Sequence, residues 1–371
     1  DSGLEVIVVE RPTVPVVNFE LIFNSGYSAD RPGLAGEASM TMAMLDEGAA
    51  DLDALEISEQ LSMLGAALGT GAGLDTASVS LSALTENLDP SLDLFASVVL
   101  QPTFPDDELE RLRAQYRNMI KQEKSAPNSI ALRLLPGLLY GENHVYAQPL
   151  TGSGTEETID AISRDELISW HDTWFRPNNA TLIVVGDTTL EEIVPRIEKL
   201  FLDWEAAEVP DKKIATVETG PNDVLYLIDK PGAEQSIIFA GQLVIPMSNP
   251  DEIAIDAFND MLGGQFSSRI NMNLREEKHW SYGARSTIVP TRAQRPFFAY
   301  AGVQTDKTAE SVAEILREIT EIRDSNPPTT EELQRVQRSN ILSLPGRWET
   351  NPAVLGAVAT IVNFGLPDNF W

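Results

Sequence analysis

The chain has 371 residues, 43% of them hydrophobic and 22% charged, with no cysteine and a formal charge of -29. That length allows about two domains with cores of their own, while the missing cysteines exclude disulfides, thiolate metal sites and a cysteine nucleophile. The acidic balance repels phosphate backbones and anionic lipid heads, which disfavours nucleic acid and membrane surfaces as partners, and no apolar run reaches the roughly 18 residues of a membrane span.

The chain opens on Asp1 rather than Met, which suggests a removed leader or an artificial boundary, and no signal peptide is present to read. EVIVVE (5–10) and VNFELIFNSG (17–26) read as two strands split by a proline-containing turn. The glycines of LGTGAGLD (68–75) follow a helical segment rather than a strand, and no Gly-Lys-Ser/Thr follows them, so they fit an edge strand better than a phosphate loop. SVSLSALTENLDPSLDLFASVV then gives a strand ending at Thr85, a polar turn and an amphipathic helix. DDELERLRAQYRNMIKQEK puts Leu109, Leu112, Tyr116, Met119 and Ile120 on one helix face. Ser163 with Glu166 forms a capping box opening SRDELISWHDTWF, and the strand TLIVVGD and helix TLEEIVPRIEKLF close this half.

Residues 205–223 are charged, poor in large apolar side chains and punctuated by Pro210, Gly220 and Pro221, a linker signature. Beyond them the pattern returns. VLYLID (224–229) and QSIIFAGQLVI (235–245) repeat the first two strands, and FFAYAGVQTDKTAESVAEILREI repeats the strand, now ending at Thr305, the turn and the helix. Both offsets are about 220 residues, which reads as an internal duplication. The expected domains are therefore 1–204 and 224–371, each mixing strands and helices in an α+β fold. A partner for TLIVVGD would fall about 220 residues further on, past Trp371, so the second domain is expected to be abbreviated or the sequence truncated at its C-terminus.

Histidine is the commonest neutral metal ligand, yet only His144, His171 and His279 are present, and no two lie within a helical turn or two. His144 and His171 read as structural. A Gly-x-Ser-x-Gly nucleophile elbow is also missing. What stands out is LREEKHWSYGARS (274–286), a cluster of cations and aromatics in an acidic chain. The stretch before it reads as two short helical pieces broken at Gly263 and Gly264, and YGARSTIVP reads as a strand. Arg275 and Tyr282 would then offer a planar guanidinium fork and a phenol to a carbonyl or carboxylate. The residues alone leave the alternative open that Arg275 pairs with Glu276 or Glu277 and that Tyr282 packs in a core.

Taken together, NSGYSADRPGLAGEASMTMAMLDEGA, QPTFPDDELERLRAQ, LLYGENHVYAQPLTGSGTEETIDAISRDELISWHDTWFRPNNATLIVVGD and FSSRINMNLREEKHWSYGARS resemble the pitrilysin or insulinase-like zinc metallopeptidase family, in its processing-peptidase-like branch. The resemblance spans nearly the whole chain. It implies two homologous α+β domains of mixed sheet plus helices facing each other across a clam-shell cavity. In that family the stretch after PGLA carries the inverted zinc motif His-x-x-Glu-His, and a glutamate on a later helix completes the site. Here Gly36, Glu37, Ala38, Ser39 and Met40 stand in the motif, and Arg117, Asn118 and Met119 at the later slot. Both histidine ligands, the general base and the third ligand are gone, so no cofactor is expected in this chain. The family's arginine and tyrosine, seven residues apart in the second domain, match Arg275 and Tyr282, whose implied role is to hold peptide carbonyls and the developing oxyanion. The resemblance thus implies a catalytically incomplete subunit of a two-subunit zinc endopeptidase. Its expected partner is a homologous zinc-bearing chain in a heterodimer, its substrates are peptides and its compartment is the periplasm. The alternative is a non-enzymatic scaffold or peptide-binding module of the same fold.

Overall fold

The computed structural model describes residues 2–218 and 224–371. Six helices matter below: α1 (Glu37–Met44), α2 (Asp106–Ser125), α3 (Pro127–Tyr140), α4 (Arg164–Trp174), α5 (Thr308–Glu321) and α6 (Asn351–Phe364). Strands β1 (Glu5–Glu10), β2 (Val16–Phe23), β3 (Ala67–Ala72), β4 (Ala77–Leu84) and β5 (Ala180–Gly186) form one sheet in the order β1-β5-β2-β4-β3. β1 and β5 are parallel and the other neighbours antiparallel, so the sheet is mixed. The glycine-rich β3 is an edge strand, as its sequence suggests.

The two-residue period of a strand sorts this sheet's side chains. Val17, Phe19, Leu21 and Phe23 of β2 join Leu182 and Val184 of β5 in the main core, while Ile22, Ile183 and Val185 point the other way. There they meet Val354, Leu355 and Ala359 of α6. β5 is an interior strand covered on both faces, which is why ATLIVVG is apolar without alternation.

A second sheet holds β6 (Gln235–Val244), β7 (Ser281–Ile288) and β8 (Arg295–Gln304) in the order β6-β8-β7, all antiparallel. It repeats the path of β2, β3 and β4, and in both sheets the third strand of that path runs through a single helical turn into a long helix. Phe297, Ala299, Ala301 and Val303 of β8 share a core with Ile315 of α5, and Phe298 and Tyr300 on the opposite face pack with Phe239. The α+β class and the duplicated meander are thus both present.

The compact units are not contiguous halves. One comprises Asp1–Gln122, Gln148–Lys213 and Pro345–Trp371; the other comprises Glu123–Ala147 and Ile214–Leu344. Helix α3, N-terminal in sequence, packs on β6, and its Tyr140 donates to the Gln294 carbonyl at 2.6 Å. A division at 1–204 and 224–371 therefore assigns α3 and α6 each to the wrong unit, because local periodicity reports an apolar face but not which sheet receives it. Residues 205–218 of the expected linker carry no helix or strand, and 219–223 lie outside the described residues.

The expected strand VLYLID is also corrected: residues 224–229 form no strand, with Leu225 82% and Leu227 90% exposed. The cause lies in the ladder. In the first sheet the matching strand β1 is bonded only to β5, and among the described residues the second sheet contains no counterpart of β5. Without a neighbour to exchange hydrogen bonds, apolar alternation alone does not make a strand.

Candidate functional site

At the positions of the zinc motif the side chains are built into the fold. Gly36 lies just outside α1 with φ of +97°, in the left-handed region, so the helix begins only at Glu37. The Asp30 carboxylate caps this start, accepting the N–H of Gly36 at 2.7 Å and that of Ala38 at 2.8 Å. Burial pushes Asp30 up to about 8 against those two hydrogen bonds. Glu37 is fully buried and clamped by Arg31, which also donates to the Glu166 carbonyl at 3.2 Å. Met40 is fully buried in the main core. Ser39 faces Gly152, where an added Cβ would stand 2.8 Å from both the Ser39 hydroxyl and the Tyr27 ring.

The later slot offers no carboxylate either. Arg117 of α2 pairs with Asp160 at 2.5 Å and Met119 stands partly exposed. Among the described residues no group of three or more His, Cys, Asp or Glu side chains could hold a metal ion. The histidines are placed as structural groups. His171, buried on α4, has Nε2 2.9 Å from the Val99 carbonyl and must donate there; burial pushes its basicity down. His144 places Nε2 2.8 Å from the Ala215 carbonyl while Nδ1 accepts the Tyr146 N–H at 3.0 Å, so both ring nitrogens are used on backbone. These residues do not fit the zinc ion that the fold family implies, since a glycine and a buried methionine stand where its two histidine donors would, and Arg117 to Met119 supply no carboxylate for the third.

Arg275 and Tyr282 lie in the other unit, each on an irregularity that turns it outward. Met272–Glu277 is a π-helical turn, with the Lys278 N–H reaching back five residues to the Asn273 carbonyl at 2.9 Å. Such widened turns recur at functional sites. Leu274 is buried and Arg275 emerges beside it, its guanidinium 4.6 Å from the centroid of the Phe266 ring and 3.4 Å from Glu276. His279, at φ of +58°, then reverses the chain into β7, its Nδ1 3.1 Å from the Arg275 carbonyl.

Strict alternation would place Tyr282 on the buried face with Ala284 and Ser286. The register shifts instead: Ser281 pairs with Val303 and Ala284 with Ala301, so β7 carries an extra residue there. This bulge is pinned by the Ser281 hydroxyl, which donates to the Gly302 carbonyl at 2.7 Å and accepts the Gly283 N–H at 3.1 Å. Tyr282 is thrown out to solvent, 91% exposed. A core role for it is ruled out, whereas the Arg275–Glu276 pair is present. Phe266 was not legible in the sequence, because it sits in an irregular break and touches Arg275 only through the tertiary turn.

Residues 5–152 match the model described as insulinase (peptidase family M16), and residues 161–340 match that described as peptidase M16 inactive domain. The chain belongs to peptidase family M16. It is similar to the uncharacterized zinc protease YmxG of Bacillus subtilis, 24% identical over 318 residues that cover 85% of this chain and 76% of that protein. It is also similar to the non-peptidase homolog YmxG of Helicobacter pylori, 23% identical over 372 residues, 100% of this chain and 84% of that one. The crystal structure of a peptidase M16 inactive domain from Pseudomonas fluorescens matches with a TM-score of 0.91 and 29% identity, over 99% of this chain and 86% of its own. One relative is named a protease and another a non-peptidase, so the family alone does not decide activity. Gly36–Met40 carry neither histidine of the metal motif, which together with the inactive-domain match supports a catalytically inactive M16-like chain. Among the described residues no helix is long and apolar enough to cross a membrane.

Proposed function

We propose that this chain is the non-catalytic subunit of a two-chain zinc endopeptidase, paired with a homologous chain that bears the metal. It lends half of the chamber and the donors Arg275 and Tyr282, whose guanidinium and phenol hold the carbonyl oxygens of a bound peptide. The observation that carries this reading is the bulge at Tyr282. A strand whose alternation would bury a tyrosine spends a ladder position to present its hydroxyl to solvent, seven residues from an arginine on a widened helical turn. Structural economy alone favours neither irregularity. The same chain fills the metal-motif positions with core contacts, which supports a division of labour between two chains.

The test is to purify this chain with an M16 chain carrying an intact His-x-x-Glu-His motif and to assay peptide cleavage by each alone and by the mixture. Cleavage that requires both chains and falls when Arg275→Ala is introduced supports the proposal. Association without any change in cleavage refutes it in favour of a scaffold.

A further inference from the structure

We infer that Phe266 and Asn271 are positioning residues that hold Arg275 and Tyr282 as one constellation; this rests on the function proposed above. Asn271 is 4% exposed and spends both ends of its amide on backbone. Its Nδ2 donates to the Phe266 carbonyl at 2.6 Å, and its Oδ1 accepts the Ala284 N–H at 3.1 Å. One side chain therefore ties the break that carries Phe266 to the strand that carries Tyr282, directly after its bulge. Phe266 is 60% exposed, so its ring is free to take a partner from the surface. Its face is occupied by the Arg275 guanidinium, 4.6 Å from the ring centroid.

The ring does for Arg275 what a carboxylate partner would do less well. A carboxylate such as Glu276, 3.4 Å away, neutralises the guanidinium and competes with substrate for its N–H donors. An aromatic face orients the guanidinium plane without consuming a single N–H, leaving the in-plane donors for a carbonyl oxygen. The chain of dependence runs from Asn271 to the Phe266 backbone, from the Phe266 ring to Arg275, and from Asn271 again to the strand of Tyr282.

The experiment compares the wild-type chain with Phe266→Tyr, Phe266→Leu and Asn271→Asp by NMR of the arginine side chains, with Arg275→Lys identifying the signal. In the wild type and in Phe266→Tyr the Arg275 protons are expected upfield, shielded by the ring; in Phe266→Leu that shift is lost. Asn271→Asp keeps the acceptor for Ala284 but loses the donor to Phe266, and is expected to weaken the shift while the chain still unfolds cooperatively. An unchanged Arg275 signal in Phe266→Leu overturns the inference whatever any partner does. In the two-chain assay Phe266→Leu is expected to lower kcat/KM roughly two- to fivefold, the scale of an exposed cation–π contact, with Phe266→Tyr restoring it. If the NMR shifts behave as expected but Arg275→Ala leaves cleavage intact, the packing stands and the functional reading falls.

Discussion

Restoring the metal motif with Gly36→His, Ser39→Glu and Met40→His together is expected to damage the fold and still bind no stoichiometric zinc. At Gly36 the backbone is left-handed, which costs a side-chain-bearing residue about 1–2 kcal/mol, and the new Cβ would meet the tip of Ile159 at 2.8 Å. At Met40, fully buried, the substitution forfeits apolar burial worth about 1.5–3 kcal/mol and leaves an imidazole to find a partner in the core. These two effects together cost about 2.5–5 kcal/mol, a large part of the roughly 5–15 kcal/mol that stabilises a domain. Even then the two histidines would not share a helix face, because position 36 lies outside α1, and Arg117 to Met119 supply no third ligand. Chemical denaturation of the triple variant gives the stability, and mass spectrometry of metal content after dialysis gives the occupancy. A variant with wild-type stability and one zinc per chain would show that the site is merely depleted rather than rebuilt.

In the assembled two-chain enzyme, Arg275→Ala and Tyr282→Phe should each lower kcat/KM by on the order of a hundredfold with little change in melting, since Tyr282 is solvent-exposed and half-buried Arg275 makes only surface contacts with Glu276 and Phe266. The buried bidentate pair of Arg295 with Glu252 predicts the converse: Glu252→Ala should cost about 3–5 kcal/mol in urea unfolding because it strands a guanidinium that is 2% exposed, while Glu276→Gln on the surface should cost under about 1 kcal/mol. His171 is held below its ordinary range by burial, so its contribution to stability is present above the usual histidine value of about 6.5 and is lost as pH falls through its folded value. A His171→Gln variant should lack that part of the acid destabilisation, and parallel slopes for the two proteins between pH 7 and 5 would contradict it.

The duplicated meander and most elements were legible because they rest on local patterns. The capping box at Ser163 forms as written, with the Ser163 N–H on Glu166 at 2.6 Å, and β2, β5 and β6 fall where their apolar runs lie. Two kinds of feature were not. VLYLID has the composition of a strand but no neighbour to complete its ladder, and Met119 lies on the apolar stripe of α2 yet is 37% exposed. Both depend on what stands opposite, which no window of sequence contains. At the candidate site Arg275 and Tyr282 could be chosen by residue type and spacing, whereas the bulge that exposes Tyr282 and the Phe266 ring beneath Arg275 arise from pairing with β8 and from a tertiary turn.

Helix α6 covers Ile22, Ile183 and Val185, yet it follows β1 and β2 by most of the chain in synthesis order. The sheet made first is therefore covered late. Until Asn351–Phe364 emerges, one side of a nearly complete sheet offers bare isoleucine and valine to water, the kind of surface on which nascent chains stick to one another. Closure of this sheet across most of the chain's length also makes folding slow relative to a domain built from neighbours, because the loop entropy is lost before the apolar gain arrives. Biosynthesis of such a chain favours a holdase that shelters the β2–β5 face, and a ribosome-stalled product ending before residue 345 is expected to bind one where the released chain does not.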